Sequence, residues 1–154
     1  MERFIFKIAG DEKELEDYFR LRREVFVSEQ GIFSETDVDE FDTDPFHKVI
    51  HIVSVKLPER EVVGAVRCYR IEGDTWVGGR LSAAPGYRNG RVGMGLVKFA
   101  VQTMKATDEC RRFLAYVQPQ NVRFFQRLGW TPIGDPEEYH GIPHQLMEAD
   151  IASG

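Results

Sequence analysis

The sequence predicts a mixed α/β (α+β) domain with a mostly antiparallel sheet and helices packed on its flanks. Three observations carry this. Residues 49–57 and 62–71 are apolar, partly alternating runs joined by Pro58-Glu59-Arg60-Glu61, the pattern of a hairpin. Residues 76–83 form another apolar run that enters a glycine- and arginine-rich loop and then an apolar helix. Residues 112–118 place Phe113, Ala115 and Val117 on one face and Leu114 and Tyr116 on the other. Apolar on both faces, that run reads as a central strand.

The remaining elements follow in order. Residues 4–8 form a short strand, broken by Gly10-Asp11, which also starts a helix. In that helix Leu15, Tyr18, Phe19, Val25 and Phe26 share one face, with Arg22 in its middle. A cation on an apolar stripe snorkels, pairs with a buried acid or faces a cavity. Residues 35–44 hold six acids in ten and read as a solvated loop, or as a rim that draws a cationic acceptor. Gly73-Asp74 turns the chain into strand 76–83. The next helix runs from near Val92 to about Ala106, with Val92, Leu96, Phe99, Ala100 and Met104 as its core stripe. Asn121 is expected to cap a short helix ended by Gly129. A strand starts at residues 130–133. Pro132, Gly134 and Pro136 then punctuate a loop carrying Glu137, Glu138, Tyr139 and His140, and a last strand covers 145–151.

At 154 residues the chain is expected to be one domain, 1–154, large enough to bury a core. No apolar run approaches bilayer length, and the first residues are too acidic for a signal peptide. Cys68 and Cys110 are isolated, as reduced thiols in a cytoplasm are. The expected location is therefore cytoplasmic, with neither membrane nor nucleic acid as a partner. His140 and His144 are four apart, but Gly141 and Pro143 argue against a helical metal pair. No metal is expected.

The chemistry concentrates around residues 80–95. From Thr75 to Thr107 there is no acid but there are Arg80, Arg88, Arg91, Lys98 and Lys105, a charge of +5 inside a chain of net −5. Strand, glycine loop and helix present backbone N–H groups at the positive end of a helix dipole, which suits phosphate. A compact basic turn in an acidic chain points to a small polyanion. The P-loop Gly-Lys-Ser/Thr is absent, and Gly93-Met94-Gly95 lacks the third glycine of a dinucleotide fingerprint.

The run from Pro85 to Gly93 resembles the acyl-CoA loop of the GNAT superfamily of N-acyltransferases, Gln/Arg-x-x-Gly-x-Gly/Ala. Arg88 takes the first position and Gly93 the last. Arg91 replaces the middle glycine, where its guanidinium suits a bidentate phosphate contact. Two further segments are similar to small bacterial members of the family. Arg22 and Phe26 lead into Val-Phe-x-x-Glu-Gln at residues 25–30, a spacing also found in autoinducer (acyl-homoserine lactone) synthases. Gly141, Pro143, His144 and Met147 match a Gly-x-Pro-His-x-x-Met ending. Residues 121–130 resemble the segment Asn-x-x-x-Phe-Tyr-x-x-x-Gly-Phe, one residue shorter, with Phe125 where the family's acidic Tyr stands.

The resemblance implies a GNAT-like sheet with splayed central strands that admit acetyl-CoA. It implies cofactor contacts from Leu81, Ser82 and Ala83, from Arg88, Asn89, Gly90, Arg91, Val92, Gly93, Met94 and Gly95, and from Asn121, Phe124 and Phe125. Arg22, Phe26 and Arg80 are assigned to the substrate. The family's strand glutamate is missing, since Gly78-Gly79-Arg80-Leu81 stands there. Glu29 and His144 are the substitute bases. Tyr139 or Tyr116 replaces the acid absent at Phe125. The implied reaction moves an acetyl or other short acyl group to a small-molecule amine, with a homodimer left open. The alternatives are an autoinducer-type synthase and a non-catalytic acyl-CoA sensor.

Overall fold

The computed structural model describes residues 3–139 and 141–152. Its first strand, β1 (Arg3–Ile8), leads into α1 (Glu12–Arg23), whose start is fixed by Asp11. The Asp11 carboxylate accepts from the Glu14 N–H at 2.8 Å, and the Glu14 carboxylate accepts from the Gly10 N–H at 2.8 Å. The first bond caps an orphan donor of the helix, and its loss costs about 1 kcal/mol. The expected helix end is instead a wider, π-helical stretch, Glu24–Glu29, a form that recurs at functional sites.

Strands β2 (Ile50–Leu57), β3 (Glu61–Glu72) and β4 (Thr75–Ala83) form the predicted meander. Helix α3 (Arg91–Lys105) follows the glycine loop, and β5 (Arg112–Val117) returns to the sheet. A short helix α2 (Glu40–Thr43) precedes the meander, and α4 (Val122–Arg127) follows β5. Strands β6 (Thr131–Pro132), β7 (Glu137–Tyr139) and β8 (Ile142–Glu148) complete the chain. Sequence spacing reads residues 137–139 as loop. Their strand form comes from pairing with β8, with Glu137 opposite His144.

The sheet runs β1-β2-β3-β4-β5-β8-β6, with β7 on β8, an open eight-stranded arrangement. Every pairing is antiparallel except β4 with β5. That parallel ladder stops at Gly78 and Ala115, so the expected splay is present. Opposite it, β4 carries a bulge against β3. Ala65 pairs with Ser82 and Arg67 with Gly79, so Arg80 and Leu81 face the single Val66. Arg80 takes the extra step with φ of 54°.

One core lies between the sheet and α3, built on Leu96, Met104, Trp76 and Phe113; a second lies under α1, built on Tyr18, Val53 and Ala65; a third, smaller one holds Tyr69, Val77 and Leu114. Helix α3 sits close to the strands because two glycines remove side chains from the contact. A Cβ on Gly95 would stand 2.0 Å from the Phe6 ring, and one on Gly64 would stand 2.5 Å from Val92.

The acidic segment departs from the solvated loop read in the sequence. Asp37, Asp39 and Asp42 turn inward onto Arg22, Arg67 and Arg80. A run of like charge cannot stay together in a protein interior without counter-ions, and three distant arginines supply them.

Candidate active site

The cleft opens where β4 and β5 part. It holds about 470 Å³ and is lined by Gly79, Arg80 and Leu81 from β4 and by Ala115, Tyr116 and Val117 from β5. A Cβ on Gly79 would meet nothing within 4 Å, so the backbone of β4 is open to the cleft there. Phe26 and Gln30 from the π-helical stretch close one side, and Tyr139 and His144 line the other.

The N-terminus of α3 follows β4 through the glycine loop, and its first-turn residues lie outside the cleft lining. Its first N–H, that of Arg91, is taken by the Asn89 side chain at 3.1 Å, while the Met94 N–H bonds the Gly90 carbonyl at 2.9 Å. Among the described residues, the N–H groups of Gly90, Val92 and Gly93 have no partner. They form the nest expected of a phosphate site, at the positive end of a 15-residue helix. Gly90, at φ of 98°, allows the chain to enter this turn.

The side chains around the nest do not all follow the sequence reading. Asn89 is a local cap. The Arg91 guanidinium lies over the Phe4 ring at 5.3 Å, which leaves the nest to backbone groups. The Val92 side chain is in the core. Gly95 serves helix–sheet packing, whereas a Cβ on Gly93 would meet only Phe124, at 3.9 Å. Met94 is exposed. Arg88 donates from Nε to the Ala83 carbonyl at 2.8 Å and holds Glu29 with its other two nitrogens. The Ser82 side chain is buried away from the cleft.

Of the two candidate bases, Glu29 does not line the cleft, and the hydrogen bond from Arg88 holds its carboxyl below the usual range. His144 does line it. Its Nδ1 lies 2.9 Å from the Ile142 carbonyl. A carbonyl only accepts, so Nδ1 carries a proton, and in the neutral form of the ring Nε2 is the nitrogen with the lone pair. Tyr139 packs edge-on against His144 at 5.4 Å between ring centres, and Tyr116 lines the same cleft with 46% of its surface exposed. Both carry a phenolic O–H that Phe125 lacks. Phe125 lines the cleft but packs edge-on against Trp130 at 5.2 Å as part of the core. Asn121 lines the cleft and, contrary to expectation, makes no capping hydrogen bond. His140 lies outside the described residues.

Arg22 is fully buried and does not line the cleft. It bonds Asp37 at 2.6 Å and Asp42 at 2.8 and 2.9 Å. Burial would push the Asp42 carboxyl up, but Arg22 and Arg67 hold it far below the ordinary range. Arg22 is thus a structural hub, one of the three outcomes open to a cation on that stripe. Phe26 and Arg80, by contrast, do face the cleft.

Trp130 was missed as a site residue. Its side chain lines the cleft, while its indole N–H is sealed from solvent and has no acceptor among the described residues. Its position after Gly129, where the resembling segment has Phe, was the available signal. Gln30, Phe41 and Tyr69 also line the cleft, and their distance in sequence gave no hint of it.

The acetyltransferase (GNAT) family model matches residues 14–130. The chain belongs to the acetyltransferase (GNAT) family. Among curated relatives, the uncharacterized N-acetyltransferase YjcF of Bacillus subtilis (strain 168) is 30% identical over 144 residues, covering 93% of this chain and 97% of that protein. Among solved structures, Escherichia coli ElaA superposes with a TM-score of 0.80 at 23% identity, covering 97% of this chain and all of that one. BjaI, a CoA-dependent acyl-homoserine lactone synthase, gives 0.73 at 18% identity, covering 99% of this chain and 85% of that one. At those identities the two structures establish the GNAT fold. The protein is a GNAT-type acyltransferase, and no described helix is long and apolar enough to cross a membrane.

Proposed function

We propose that the protein transfers an acetyl or other short acyl group from coenzyme A to the amine of a small molecule. One observation carries this reading: β4 and β5 separate after Gly78 and Ala115, opening a cleft lined by His144, in a chain whose α3 N-terminus leaves three N–H groups without a partner among the described residues. The residues fit coenzyme A. The nest at Gly90, Val92 and Gly93 suits a pyrophosphate. The open edge of β4 at Gly79 and Leu81, together with Asn121, offers polar partners to an amide-bearing arm. Bound there, an acyl-CoA supplies a thioester whose acyl carbon is open to attack by an amine.

The chain's own groups do the rest. His144 Nε2 accepts the proton that an alkylammonium, with an ordinary pKa of about 10, sheds to become a nucleophile. An N–H on the free edge of β4 polarises the acyl carbonyl. Tyr116 or Tyr139 donates a proton to the departing sulfur, or the thiolate leaves unprotonated, since a thiol pKa of about 8.5 permits it. The apolar walls exclude water and hold both partners together.

The test is thiol release from acetyl-CoA and longer acyl-CoAs over a panel of small amines. Amine-dependent release supports the reading. Tight acetyl-CoA binding with no release for any amine would leave the sensor in its place. The acyl-homoserine lactone alternative gains support only from fold likeness to BjaI and from the Arg22–Phe26 spacing.

A further inference from the structure

We propose that the amine acceptor also carries a carboxylate, and that Arg80 holds it. The inference rests on the acyltransfer reading above and narrows its substrate class to amino-acid-like molecules.

The observation is a donor left over. A guanidinium has five N–H groups. In Arg80, Nε donates to the Asp37 carbonyl at 3.2 Å, and Nη2 donates to the same carbonyl at 2.9 Å and to Asp39 Oδ2 at 3.2 Å. Nη1 has no partner among the described residues, is not sealed from solvent, and belongs to a side chain that lines the cleft. The other two arginines of the cluster differ. Arg22 has Nε, Nη1 and Nη2 all bonded and does not reach the cleft. Arg67 spends Nη1 and Nη2 on Asp39 and Asp42, and its remaining Nε is sealed off.

Charge and rigidity favour an anion at that nitrogen. Arg80 owns neither of its acids. It shares Asp39 with Arg67 and Asp37 with Arg22, so three guanidiniums stand over three carboxylates with no anionic excess. The group is also fixed in advance. Its side chain is 7% exposed, and the guanidinium carbon lies 4.3 Å from the Phe33 ring centre and 5.8 Å from that of Phe26. A buried, immobile donor loses little entropy on binding, and a charge-assisted bond to carboxylate is about twice as strong as a neutral one.

The cleft is bipolar as a result. Glu137 and Glu138 line it on β7, with Glu137 directly across from His144. That rim suits the ammonium end of an acceptor. Arg80 suits a carboxylate, and Phe41, Tyr69 and Leu81 add apolar wall to the same cleft. A zwitterion with an apolar body matches all three.

The test compares matched acceptors in the thiol-release assay: several L-amino acids and their primary amides. The amide has the less basic amine, so intrinsic reactivity near neutral pH favours it. We expect the free acids to win nonetheless by at least tenfold in kcat/KM, chiefly through KM. In Arg80→Met that ratio falls towards one, and Arg80→Lys restores part of it. If Arg80→Met fails to fold, the wild-type ratio and Arg80→Lys still decide. Equal or better use of the amides by the wild type overturns the proposal while leaving acyltransfer to amines intact. Release with no amine, acid or amide, overturns both.

Discussion

Arg88 clasps Glu29 through two hydrogen bonds, Nη1 to Oε2 at 2.8 Å and Nη2 to Oε1 at 2.7 Å. The pair ties the loop ahead of α3 to the π-helical stretch that carries Phe26 and Gln30 into the cleft. It also weighs against Glu29 as the base. A carboxylate engaged on both oxygens by a guanidinium is a poor proton acceptor, and its pKa is lowered accordingly. Glu29→Gln is therefore expected to leave the pH dependence of kcat/KM unchanged and to lower kcat less than tenfold, where loss of a general base costs about 10²–10⁴-fold. With the competing anion gone, acyl-CoA is expected to bind roughly two- to fivefold tighter, the range of an exposed ion pair. Loss of the acidic limb of the pH profile in this variant would return the base to Glu29.

His144→Gln is expected to show the opposite pattern. An amide N–H can still reach the Ile142 carbonyl, but nothing replaces the Nε2 lone pair. Turnover should fall about 10²–10⁴-fold while acyl-CoA affinity stays within a factor of two or so. Single-turnover rates and calorimetric affinities on one preparation separate the two effects. Equal loss of both would mean that His144 only supports the cleft wall.

Two glycines two residues apart are expected to answer differently to one substitution. At Gly93 a Cβ has room, and leaving glycine inside a helix helps by a few tenths of a kcal/mol. Gly93→Val is therefore expected to keep its melting temperature and lose most of its CoA affinity, because the added branches crowd the nest. Gly95→Val drives into the Phe6 ring and should lose about 1–3 kcal/mol of stability by overpacking. Thermal melts and CoA titrations on both variants check this.

His51 gives the fold an acid-sensitive joint. Burial pushes its imidazole down from 6.5 to about 4. The Tyr18 hydroxyl accepts from Arg22 Nη1 at 3.2 Å and lies 2.8 Å from His51 Nδ1, which accepts from it when the neutral ring carries its proton on Nε2. The unfolded chain takes up a proton below about pH 6.5 that the folded one refuses until about pH 4. Stability from this site is thus complete above pH 6.5, declines as the pH falls, and is gone below about pH 4, a loss on the order of 3 kcal/mol. Denaturant midpoints at several pH values should show a shallower slope over this window in His51→Asn than in the wild type. Parallel slopes would mean that other groups carry the acid sensitivity.

The strands, α1, α3 and the splay-bearing β4 were legible because apolar spacing and turn residues report directly on local structure. The turn of unpartnered N–H groups ahead of α3 was legible because glycines mark it within one short stretch. What stayed hidden depends on contacts between distant residues. The acidic run looks solvated until its partners are known, and the Arg80 bonds to Asp37 span 43 residues. Gly93 and Gly95 are indistinguishable in sequence, and only the position of Phe6 separates them. Strand β7 is polar throughout and owes its form to β8. Arg22 was recognisable as out of place on an apolar face, and the choice among its three outcomes needed Asp37 and Asp42 in view.

The most direct test is calorimetric titration of the wild type and Gly93→Val with acetyl-CoA, with ATP as the control polyanion. The account predicts saturable 1:1 binding of acetyl-CoA by the wild type, at least tenfold weaker binding by the folded variant, and no comparable binding of ATP. Equal affinity of the two proteins for acetyl-CoA would contradict the placement of the pyrophosphate at the α3 nest, and absence of binding to the wild type would contradict acyl-CoA as the donor.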